Sequence, residues 1–167
     1  MPIKKKTEEE KLVETTKTEE EKPSPVLEDA KKPLMSRNDL REKTIDALYA
    51  VLIKEKTSIE VDPLETFKGI FKVENFADAD PFAQQVFYEA LKNREEIIAL
   101  VEPKLNKWKF ERLNELAQAI FLEAISEEKY AKATSKAVAI SCAVDLAKKY
   151  LDAEDYKYIN AVLDKVL

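Results

Sequence analysis

In 167 residues this chain has a single glycine, Gly69, and that scarcity narrows what it can fold into. Tight β-hairpins draw on Gly at their turns, and loops that cradle phosphates or dinucleotides need several close together. The chain can supply neither. Strand-like alternation is almost absent, while apolar residues recur at helical spacing through most of the sequence. Near the C-terminus Ile140, Ala143, Val144 and Ala147 mark one helical stripe. After an acidic turn, Asp152-Ala153-Glu154-Asp155, the stripe recurs at Ile159, Val162, Leu163 and Val166. The expected fold is all-α.

Helix starts are written plainly. Ser36 is an N-cap for a helix to about Glu55, with Leu40, Thr44, Ala47, Leu48, Val51 and Leu52 as its apolar stripe. Asp62-Pro63 and Asp80-Pro81 each place a capping carboxylate before a proline at the first helical position. The second of these opens a long run, FAQQVFYEALKNREEIIALV, which Pro103 stops or bends. A helix is expected from about Asn114 to Glu128, and Thr134 or Ser135 caps the penultimate one. Trp108, the lone tryptophan, reads as core packing at a joint between subdomains. Residues 1–34 differ in kind. Eight lysines against nine acids leave −1 there and −4 on the remainder, with three prolines near its end and few large apolar groups. Such a segment cannot bury enough surface to offset its ordering entropy, so a disordered charged leader is expected before a folded domain at 35–167.

Composition excludes several function classes. With no His, the usual general base and commonest metal ligand are missing, and the 33 carboxylates form no recognisable constellation with a nucleophile. Cys142 has no second thiol and reads as a small packed residue. No metal, no cofactor and no catalysis are expected. No apolar run approaches a membrane span and no signal-peptide core is present, which with the unpaired cysteine suits the cytoplasm. Charged residues make up 37%, yet the net charge is −5, so any nucleic-acid binding must come from a local basic patch on an acidic body.

The wording of four blocks goes further than periodicity. ISCAVDLAKKY from Ile140, the acidic turn and YKYINAVLDKVL resemble the C-terminal helix pair of the NusB family, which writes Ile-Asn-Glu-Ala-Val-Glu-Leu-Ala-Lys-Lys-Phe and then Lys-Phe-Val-Asn-Gly-Val-Leu-Asp. Ala47-Leu48-Tyr49 is similar to the tripeptide of that family's first helix. The segment from Phe82 resembles its Phe-Ala-x-x-Leu-Val-x-Gly-Val, and Lys107–Leu113 its Asn-Trp-Ser-Leu-Glu-Arg-Leu. The blocks follow in the family's order across residues 36–167. The resemblance implies a bundle of about seven helices in two packed subdomains. Family glycines are replaced at Glu89, Leu151 and Ala161, and the turn at Leu151 is expected to be rebuilt, since a Gly there suits a helix C-cap at positive φ. The arginine-rich start thins to Arg37 and Arg41. Positions used around the family's protein partner read Ala117, Gln118 and Leu122.

What the resemblance implies about function is RNA. Members bind the boxA element of ribosomal RNA leaders together with NusE, a small-subunit ribosomal protein, and help the elongating polymerase resist termination. Single-stranded RNA is held by cations along its phosphates and aromatic faces for its bases. The matching candidates are Arg37 and Arg41 for phosphates and Tyr49, Tyr150 and Tyr158 for stacking. Lys148, Lys149 and Lys157 lie beside the last two, and Glu154 sits in the acidic turn. Each also has a structural reading: a tyrosine can be core, Lys148-Lys149 complement a helix dipole, and Glu154 suits a helix start. NusB-like domains also occur fused to ribosomal RNA methyltransferases, but one glycine leaves no Gly-rich cofactor domain in this polypeptide. The alternative is a helical protein-interaction module of the same fold with weakened or lost RNA binding, possible as a homodimer. The thinned arginines and acidic balance motivate it.

Overall fold

The computed structural model describes residues 34–167, so the expected leader lies outside the described residues except for Leu34. Seven α-helices and no strand are found among the described residues. They are α1 (Arg37–Lys56), α2 (Pro63–Phe71), α3 (Pro81–Lys92), α4 (Arg94–Val101), α5 (Glu115–Ile125), α6 (Lys136–Tyr150) and α7 (Asp155–Val166). None of the described helices is long and apolar enough to cross a membrane.

The starts follow from their caps. Ser36 Oγ accepts from the Asp39 N–H at 3.1 Å while the Asp39 carboxylate accepts from the Ser36 N–H at 3.2 Å, a reciprocal box worth about 1 kcal/mol. Asp62 Oδ1 accepts from Leu64 and Glu65 N–H groups, and Asp80 from Phe82, each ahead of a proline that has no N–H to satisfy. Asn114 caps α5, and Ser135 rather than Thr134 caps α6. Two elements differ from the sequence expectation. The long run after Pro81 breaks at Asn93, whose side-chain amide donates to the Glu89 carbonyl at 2.9 Å and separates α3 from α4. The helix expected to Glu128 keeps α geometry only to Ile125. It then widens into a π turn, Ser126–Tyr130, closed by the Ala131 N–H on the Ser126 carbonyl at 2.8 Å.

One contiguous apolar core draws on all seven helices. Helix α1 packs on α2, α3 and α5, and its largest face meets α5. Helix α5 also reaches α6 and α7, so the α1–α5 contact joins the first four helices to the last three. The expected α1 stripe is buried in full, as are Ile159, Val162, Leu163 and Val166 of α7. Phe67 stacks on Phe71 at 4.2 Å and tilts against Phe76 and Phe87 at 4.7 and 4.8 Å, filling the corner between α2 and α3. Fully burying a side chain of that size contributes about 2–3 kcal/mol. Helix α6 fully buries only Ala139, Ala143 and Ala147, small residues one turn apart that let its backbone lie close to α5 and α7.

Gly69 is not used as a turn residue. It lies exposed inside α2, and a Cβ there would meet nothing within 4 Å. Among the described residues, the positive-φ positions are Ser58, Lys72, Asn106, Lys107 and Lys132. Leu151, where a family glycine was expected to be replaced by a rebuilt turn, ends α6 in extended backbone at φ −106° and ψ 173°. Trp108 is not in a core joint. It stands 61% exposed on the connection between α4 and α5.

Candidate nucleic-acid interface

The end of α6 lies against the exposed face of α1. Glu42 of α1 accepts from Lys149 Nζ at 2.9 Å and from the Tyr150 hydroxyl. Lys149 Nζ also stands 4.9 Å from the Tyr150 ring centroid. Tyr49 and Tyr150 line one cleft of about 200 Å³ with Glu42, Asp46, Leu116 and Leu146. Both rings are more than a third exposed, at 38% and 46%. Two of the three candidate tyrosines are thus brought together with one lysine. One of the acids beside them, Asp46, went unread in the sequence. Partial burial, and then the like charge of Glu42, push the Asp46 carboxyl above its usual range.

The remaining candidates scatter. Lys148 Nζ lies 4.8 Å from the Tyr156 ring, so that lysine clamps α6 to α7. Lys157 pairs with Glu154 at 2.6 Å, and Glu154, although it precedes α7, makes no side-chain capping bond. Tyr158 is half-buried against Phe121, with ring centroids 6.3 Å apart. Burial, and then the charge of Asp155, push its hydroxyl up to about 12. Its ring edge reaches a different cleft, of about 410 Å³, between α7 and the connection that carries Trp108. Arg37 is exposed and its guanidinium sits 4.0 Å over the Phe82 ring of α3, a cation–π contact that leaves its edge open to solvent.

Arg41 is placed where a phosphate cannot reach it. It is 6% exposed, and Nε lies 3.0 and 2.9 Å from the Glu127 carboxylate oxygens. Its Nη2 donates to the same carboxylate at 2.6 Å, and Nη1 to Asn38 Oδ1 at 2.8 Å. Glu127, at 0% exposed, belongs to the π turn that follows α5. The hydrogen bond to Glu127 raises the guanidinium's pKa further, so Arg41 stays charged. Arg41 therefore ties α1 to the end of α5 and is withdrawn from the list of phosphate contacts. Glu123, one turn before Glu127, is also buried. Desolvation, and then the Glu127 charge, hold it well above the usual carboxylate range. A signal for this knot existed in the sequence: two acids four residues apart on an otherwise apolar helix need a cation or a proton. Ala117, Gln118 and Leu122 of α5 are also buried, which removes them from any partner-facing surface; the Gln118 amide donates instead to the Leu113 carbonyl at 2.8 Å.

This all-helical domain sets aromatic rings beside cations on its surface, with its one buried arginine spent on structure, and so offers a candidate binding face. The chain belongs to the NusB family, whose profile matches residues 38–167. It is 33% identical over 132 residues to the transcription antitermination protein NusB of Geobacillus kaustophilus (strain HTA426), an alignment covering 79% of this chain and 95% of that one. Among solved structures it is similar to NusB of T. maritima, with a TM-score of 0.67 and 21% identity over 79% of this chain and 90% of that one. It is likewise similar to a chain from the complex of antitermination factors NusB and NusE with dsRNA, at a TM-score of 0.62 and 24% identity, covering 79% and 97%. At those identities the two structures speak for the shared fold.

Proposed function

We propose that this protein is a transcription antitermination factor that holds single-stranded, boxA-like RNA at the end of the bundle where α1 meets α6. It does so with a NusE-type small-subunit ribosomal protein and within the transcription elongation complex. The observation that carries the reading is the cleft shared by Tyr49 and Tyr150, two exposed rings from helices a hundred residues apart in sequence, with Lys149 at its rim. The rings supply stacking faces at about 1–3 kcal/mol per base. Arg37, Lys148, Lys149 and Lys157 offer the phosphate contacts, and Arg41 does not. The role is binding in the cytoplasm and not catalysis.

The test is a titration against a boxA-like RNA and a scrambled control at two salt concentrations, with and without NusE. Selective binding, tightened by NusE and weakened at least fivefold by Tyr150→Ala, supports the reading. Equal affinity for both RNAs under all four conditions would sink it and leave the protein-interaction module as the remaining account.

A further inference from the structure

Trp108 is the chain's only tryptophan, and it is held out to solvent by a connection that is otherwise well tied down. On either side of it Leu105 and Phe110 are buried, at 6% and 2%. The Trp108 N–H donates to the Leu105 carbonyl at 3.1 Å. Glu102 draws the two ends of the segment together, accepting from Lys109 Nζ at 2.7 Å and from the Phe110 N–H at 3.3 Å. The Lys109 contact, followed by that N–H, lowers the Glu102 pKa and keeps its carboxylate charged. Asn106 and Lys107 both adopt positive φ, 48° and 75°, which turns the backbone so that the indole faces out while its neighbours face in. A large ring displayed by an anchored loop is poor material for a core and good material for a stacking face.

The surroundings say what would stack. Residues 104–112 carry Lys104, Lys107, Lys109 and Arg112 against Glu111 alone, in a chain whose net charge is −5. Lys109 is paired with Glu102; among the described residues Lys104, Lys107 and Arg112 form no ion pair. The cleft on one side of the indole, about 410 Å³, is lined by Arg112, Asn114, Asp155 and Tyr158. An unpaired base has what this site asks for: a flat π-face for the indole, edges for an amide and a carboxylate, and a phosphate on each side for the cations. We propose that Trp108, with Lys104, Lys107 and Arg112, forms a second stacking platform for single-stranded RNA, separate from the Tyr49–Tyr150 cleft and joined to α7 through Tyr158. The inference rests on the RNA reading given above and extends it to the cleft that Tyr158 of α7 lines.

Trp108 reports on itself, because its fluorescence is the only indole signal in the protein. The full chain is titrated with a boxA-like RNA long enough to span both clefts, following indole emission and, separately, binding by anisotropy of labelled RNA. The same titration is run on Trp108→Ala, Trp108→Phe, the triple variant Lys104→Gln/Lys107→Gln/Arg112→Gln, and Tyr150→Ala. Emission is expected to be quenched in step with binding. Trp108→Ala weakens affinity about tenfold, Trp108→Phe restores most of it, and the triple variant lowers the salt slope by about 2. Each variant's thermal melt serves as a folding control, and the exposed positions predict little change. If Tyr150→Ala weakens binding but Trp108→Ala does not and emission is flat, the platform is wrong and the RNA reading stands. If no RNA binds to any form, both fall. An emission change seen only on adding NusE would assign the indole to a protein contact and overturn the inference as well.

Discussion

Replacing Arg41 with methionine tests whether this arginine is structure or surface. The substitution keeps most of the apolar stem and removes two donors, Nε and Nη2, that reach Glu127 and one, Nη1, that reaches Asn38. Glu127, fully buried, is then left without its cation, beside a second buried acid at Glu123. Breaking one side of a buried ion pair costs about 3–5 kcal/mol, because the remaining charge has no water to turn to. For the folded body, Met35–Leu167, an unfolding entropy of about 2.1 cal/mol/K per residue makes each kcal/mol worth about 3.6 °C in Tm. Arg41→Met is therefore expected to lower Tm by about 11–18 °C. Urea and thermal melts followed by far-UV circular dichroism measure it. The double variant Arg41→Met/Glu127→Leu removes both charges and is expected to recover most of the loss. A loss under about 1 kcal/mol for the single variant, with RNA affinity and its salt slope both falling, would refute the burial argument and return Arg41 to the phosphate contacts.

Three further outcomes follow from single sites. Gly69→Ala should stabilise by about 0.5–1 kcal/mol, since the position is an exposed helix interior with open space around it and no positive φ to serve; a lower Tm would contradict this. Glu123 has a folded pKa raised above its unfolded value near 4.5, so its contribution is fully present below that pH and is lost as pH rises toward the folded pKa. Glu123→Gln should remove that loss and gain on the wild type by up to about 1.4 kcal/mol per pH unit above 4.5; urea midpoints that run parallel from pH 4 to 8 would be the contrary result. Glu42→Gln should free Lys149 and Tyr150 and tighten RNA about twofold to fivefold at low salt, as read by anisotropy, whereas weaker binding would show the carboxylate to be a contact itself.

The fold was legible because the physics that sets it is local. Ser36, Asp62, Asp80, Asn114 and Ser135 each satisfy donors two or three residues ahead, and a stripe such as Leu40 to Leu52 records one buried face. What the chain did not disclose locally was pairing at long range. Arg41 and Glu127 lie 86 residues apart, so nothing near Arg41 in the sequence marks it as buried. The same holds in reverse for Trp108. Its size argued for the core, and only the burial of Leu105 and Phe110 on either side leaves the indole no inward space.

These two reversals have one physical consequence for RNA recognition. The arginine that resemblance assigned to the transcript is spent holding α1 against α5, and Glu42 and Asp46 stand within the tyrosine cleft, so that face has less phosphate attraction than its lysines suggest. On the proposed function, stacking on Tyr49 and Tyr150 then carries a larger share of the affinity there. Three further cations with no ion pair among the described residues, Lys104, Lys107 and Arg112, lie around Trp108. A strand that used only the α1–α6 face would meet a carboxylate beside every lysine hydrogen-bonded there. A strand that continues past Tyr158 reaches Lys104, Lys107 and Arg112, where phosphate contact releases counterions with no internal ion pair to break first. On an acidic body this arrangement favours an RNA that can present unpaired bases along its length over one that offers charge alone, because nonspecific phosphate binding is opposed by the net charge while stacking is not.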